Sequence, residues 1–102
     1  MITPVRLWFP AGKHLVSVAR DGTDVFVEVG DMTSIVSRMP WTSVMSVTPL
    51  RYLAGRRFVA TRVARHWAGD MESTHREQFR MLVRLLDWAE QQAAEGRNHA
   101  AA

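Results

Sequence analysis

Residues 14–29 read HLVSVARDGTDVFVEV, and their reading decides the fold. Asp21-Gly22 is a hairpin signal, because a two-residue type I′ turn needs positive φ at both central positions and these residue types tolerate it. A turn there pairs Arg20 with Thr23, Val18 with Val25 and Val16 with Val27. Residues opposite one another in an antiparallel pair share a face of the sheet, so the β-branched side chains all fall on one face. The alternation extends both ways. Pro10 to Lys13 forms a four-residue turn that pairs Phe9 with His14, Leu7 with Val16 and Val5 with Val18. Gly30-Asp31 suits a type II′ turn, which pairs Val29 with Met32 and Val25 with Val36. The predicted core face is Val5, Leu7, Phe9, Val16, Val18, Val25, Val27, Val29, Met32 and Val36.

Downstream, a further strand is expected from Trp41 to Val47, after Pro40. Thr48-Pro49 then reads as a helix start, with a capping hydroxyl and a proline in the first turn. That helix is expected to reach Ala68 and to stop at Gly69, with Gly55 as an internal weakness of about 1 kcal/mol. The alternation of Val59, Thr61 and Val63 supports a rival strand over residues 57–65, and helix is the preferred reading. A second helix starts at the capping box Thr74–Glu77, carries Phe79, Leu82, Val83, Leu86, Ala89 and Ala93 at helical spacing, and stops at Gly96. The expected fold class is therefore α+β: an N-terminal antiparallel β-meander of four or five strands, packed by two C-terminal helices. One domain is expected over residues 1–96, with a frayed tail over 97–102.

Composition narrows the function classes. The chain has 102 residues, 47% of them hydrophobic and 23% charged, which is the balance of an ordinary globular domain. It has no cysteine, which removes disulfides, thiolate metal sites and a thiol nucleophile. No apolar run is long enough to span a bilayer and the first residues lack the pattern of a signal peptide, so no membrane is expected and the location expected is cytoplasmic. Twelve of the thirteen basic residues are Arg, a bias that reads as GC-rich coding of the actinobacterial or phage kind. Net charge is +3, and the excess is local: residues 51–65 carry five Arg and no acid. Such a field attracts phosphates or acidic protein surfaces.

Two apolar surpluses point to binding. The second face of the sheet carries Trp8, Leu15, Phe26 and Ile35, with Trp8 opposite Leu15 and Phe26 opposite Ile35. A connected apolar patch there would bind a partner unless the chain's own segments cover it. The second helix carries Met81, Leu85 and Trp88 beside its core stripe, a wider apolar arc than one sheet contact uses. That stripe is either a dimer interface or the seat of the first helix. The basic segment, read as a helix, sets Arg51, Arg62 and Arg65 on one face with Phe58 among them, as a phosphate backbone with stacked bases would require.

Catalytic signals are missing from the sequence. There is no nucleophile elbow, P-loop or glycine-rich nucleotide loop, and the carboxylates are accounted for by turns and a strand surface. His66, Asp70, Glu72 and His75 follow no metal-ligand spacing, so neither metal nor cofactor is expected. The function expected is a non-enzymatic interaction or regulatory module that binds another protein, as a homodimer. The alternative is a nucleic-acid-binding accessory protein that uses the Arg51–Arg65 segment.

Overall fold

The computed structural model describes residues 2–36, 49–72 and 74–101. Among these residues five strands form one antiparallel sheet: β1 (Val5–Phe9), β2 (His14–Asp21), β3 (Asp24–Glu28), β4 (Arg51–Leu53) and β5 (Arg56–Ala60). Their order is β1-β2-β3-β5-β4, so β1–β3 form the expected meander, while β4 lies at the far edge and β5 returns beside β3. Among the described residues the helices are α1 (Val29–Ile35), α2 (Thr61–Met71) and α3 (Arg76–Ala101). The fold class is α+β, as the sequence indicates.

The β1–β2 hairpin has the register read from the sequence, with Phe9 opposite His14, Leu7 opposite Val16 and Val5 opposite Val18. The β2–β3 hairpin is displaced by two residues. Asp21 pairs with Asp24 and Val18 with Val27, so Gly22-Thr23 form the turn in place of Asp21-Gly22. Gly22 holds φ +63°, which explains the glycine. A slip of two leaves every side chain on its original face, so the apolar face survives the error.

Two segments differ in kind from the sequence reading. Gly30-Asp31 is no turn between strands, because residues 29–35 are helical. Glu28 ends β3 in extended geometry, and its carboxylate accepts from the Asp31 backbone N–H at 2.5 Å, capping α1. The Asp31 carboxylate in turn accepts from the Ser17 N–H at 2.9 Å, which replaces the acceptor that β2 loses where β3 leaves the sheet. The expected pairs of Val29 with Met32 and Val25 with Val36 are therefore absent, although Val29, Met32 and Val36 still reach the core.

The long helix expected from Thr48 to Ala68 is instead a hairpin followed by a helix. Ala54 and Gly55 occupy positive φ, at 53° and 76°, between Leu53 and Arg56, which face each other. Gly55 is thus a turn residue, and the alternation at Val59 marks β5. Chain direction changes at Ala60, and Thr61 opens α2. The expected strand Trp41–Val47 and the Thr48 cap lie outside the described residues. The last helix begins at Arg76, with Phe79 N–H bonding to His75 C=O at 2.8 Å, one residue after a Thr74 cap would place it. It runs on through Gly96 to Ala101.

The helices α1, α2 and α3 pack on one face of the sheet. The main core joins Phe9, Val16, Val18, Val25, Val27 and Val59 from that face to Val29, Met32 and Val36 of α1. The helices α2 and α3 add Ala64, Trp67, Ala68, Met71 and Leu82, Leu85, Leu86, Ala89, each set at i, i+3, i+4, i+7. Two members of the predicted core face fall outside it. Val5 is 54% exposed, and Leu7 is half-buried, because β1 extends past the helices, which pack over β2, β3 and β5.

Candidate interaction surface

The second face of the sheet divides into a closed part and an open part. Phe26 and Phe58 are buried there in a small cluster with Ala19, Leu53 and Ala60, against which Ile2 and Val63 pack. The guanidinium of Arg51 lies over the Phe26 ring at 5.4 Å. Next to this cluster, Ser17 is buried, and its hydroxyl accepts from Arg56 Nη2 at 3.0 Å. The carboxylate of Asp31, which serves the Ser17 amide, also stands 3.7 Å from His14 Nε2. This polar group ties β2, β5 and α1 together. Its carboxylate, that of Asp31, has a backbone N–H to serve, and Ser17 is sealed from solvent, so the arrangement reads as structural.

The open part is the corner formed by β1 and β2. Trp8 stands opposite Leu15, as the sequence reading has it, and the two are 55% and 42% exposed. Beside them β1 forms one edge of the sheet, with no strand of the described residues on its outer side. Pro4 and Pro10 bracket this edge, but inside it only Arg6 carries a charge, so its outer N–H and C=O groups are poorly protected against pairing. On the helix side of the same edge, a groove of about 490 Å³ runs between β1 and the C-terminal part of α3, lined by Thr3, Val5, Leu7, Arg20, Ala93 and Gly96. The opposite edge, β4, is three residues long, and its Arg51 is ion-paired to Asp21.

Other residues singled out from the sequence take different places. Phe26 is 8% exposed within the closed cluster, and Ile35 lies on α1, half-buried against the main core, so the two do not face each other. Only Trp8 and Leu15 of the four therefore share an open patch. The stripe on α3 is interior. Leu85 is fully buried, Met81 and Trp88 pack against the main core, and the Trp88 ring lies 5.0 Å from that of Phe9. The wide apolar arc of this helix serves the sheet, α1 and α2 at once. Leu85 is thus not available as the centre of a dimer interface.

The basic segment is internally satisfied at the positions proposed for nucleic acid. Arg51 pairs with Asp21, Arg62 Nε bonds to Asp24 at 3.1 Å, and Arg65 bridges Asp87 at 2.7 Å and Glu90 at 2.6 Å. The hydrogen bonds that Arg65 donates to Glu90 and then to Asp87 raise its pKa above the ordinary value. Phe58 has no exposed surface on which to stack a base. Because β4, β5 and α2 replace the single helix expected, Arg51 lies on a strand and shares no helix face with Arg62 and Arg65.

Sequence reasoning missed two exposed groups. Val5 was assigned to the core by alternation alone, which gives the face of a residue but not whether a helix reaches it. Tyr52, on the segment read as a helix, is 70% exposed on β4. The tight turn at Gly55 was the signal that would have moved it. Among the described residues no helix is long and apolar enough to cross a membrane. No protein-family model, curated protein or solved structure matches the chain.

Proposed function

We propose that this chain is a small protein-binding module that takes its partner by strand addition along β1, with Trp8 and Leu15 as the apolar contact. The observation that carries the reading is an exposed tryptophan–leucine pair beside a lightly charged sheet edge that no strand of the described residues pairs. In strand addition, backbone hydrogen bonds supply much of the affinity, and side chains on alternate positions select the partner. Here Trp8 and Arg6 stand on one face of β1 and Val5 and Leu7 on the other. A tryptophan at the centre of such a contact is the kind of residue whose loss removes most of the binding energy. The nucleic-acid alternative draws less support, since its three arginines already have carboxylate partners and its aromatic is buried. The reading is tested by affinity capture with the chain and with its Trp8→Glu variant as baits, each checked for folding by circular dichroism. A protein retained by the first and lost with the second supports it. Equal capture by both baits excludes this surface.

A further inference from the structure

We infer that the strand added to β1 is the β1 strand of a second copy of this chain, paired antiparallel across a two-fold axis through Leu7. This inference rests on the strand-addition reading and names its partner. A two-fold axis perpendicular to the sheet keeps the helices of both copies on one side. Residues opposite one another must then belong to the same face, which removes half of the registers. Of those left, the register centred on Leu7 uses all five residues of Val5–Phe9. Moving the centre to Arg6 sets Pro4 opposite Trp8, and moving it to Trp8 sets Pro10 opposite Arg6. Each of these gives up a position at which a proline has no N–H to donate.

The Leu7-centred register also matches the exposed groups of the edge. Arg6 of each copy falls opposite Trp8 of the other, on the open face. Arg6 is exposed and has no ion pair among the described residues, and the Trp8 ring beside it is more than half exposed. A guanidinium over an indole face is a favourable cation–π pair, and the two-fold axis makes it twice. The two Arg6 side chains take diagonal positions, so like charges do not stand directly opposite. On the helix side, Val5 falls opposite Phe9 of the second copy, whose ring already packs on Trp88. Trp8, left more than half exposed in the isolated chain, thus gains a partner from the second copy.

The test uses sedimentation and cross-linking together. The unmodified chain should sediment as a dimer at micromolar concentration, and Arg6→Glu should weaken the dimer by about tenfold or more, because an anion then faces the indole. The chain has no cysteine, so introduced thiols report without interference. Opposite positions lie within disulfide reach and diagonal ones do not. Leu7→Cys should therefore cross-link to itself on oxidation. Arg6→Cys mixed with Trp8→Cys should give a mixed disulfide in preference to either self-pair; both sites are exposed, so this arm stands even if Leu7→Cys fails to fold. A chain that stays monomeric at high concentration overturns the inference, as does self-linking of Arg6→Cys that equals the mixed product. A monomer that still captures another protein through Trp8 overturns self-pairing alone. A monomer that captures nothing overturns strand addition as well.

Discussion

Ala54 and Gly55 take the left-handed backbone region together, and only one of them is suited to it. An alanine there carries a steric penalty of about 1–2 kcal/mol that asparagine largely escapes. Ala54→Asn should therefore stabilise the chain by about 0.5–1 kcal/mol, seen as a higher melting temperature. Gly22 is the converse case. Nothing lies within 4 Å of a Cβ built on it, so Gly22→Val should lose stability through φ alone, by about 1–2 kcal/mol. Asp31 tests a different kind of residue effect. Asp31→Ala leaves the buried Ser17 N–H without its acceptor, and denaturant unfolding should show a loss of about 1–3 kcal/mol. The glycine of each turn was visible in the sequence. Whether it filled the first or second position of its turn was not, and that uncertainty is the two-residue slip between β2 and β3.

Among the elements, β1 and β2 were legible because a proline-started turn and two alternating runs agree on one register. Helix α1 was not. Its seven residues are held by the Glu28 carboxylate at the start and by Asp31 reaching Ser17, fourteen positions back in the chain, and no local pattern announces a distant acceptor. The segment from Arg51 to Met71 mixes both periodicities, and it forms a hairpin and a helix in turn. The α2–α3 contact supplies a further test. Arg65 is partly solvent-exposed, so its two ion pairs are screened and Arg65→Met should lower stability by no more than about 1 kcal/mol, less at high salt. The pKa of this group is raised on folding, so its contribution is complete below the unfolded value and is lost only as pH rises through the strongly alkaline folded value. The stability difference between Arg65→Met and the parent should accordingly stay constant from about pH 6 to about pH 10.

For the whole molecule, the sequence shows two apolar surpluses without showing which one is internal. The stripe Met81, Leu85, Trp88 and the patch Trp8, Leu15 look alike as patterns, and only the arrangement of helices separates them. The helices α1, α2 and α3 gather on one face of the sheet, and their convergence uses the apolar arc of α3. Nothing among the described residues is packed over Trp8 and Leu15 to the same degree. The most direct measurement is denaturant unfolding of Leu85→Glu and Trp8→Glu in dilute solution, side by side with the parent. A carboxylate at the fully buried Leu85 should remove about 3 kcal/mol or more, or abolish the cooperative transition. At the open Trp8 the same change should leave stability within about 0.5 kcal/mol of the parent. A chain that tolerates Leu85→Glu and unfolds on Trp8→Glu would contradict the account, since the α3 stripe would then be the surface offered to a partner and the β1–β2 corner part of the core.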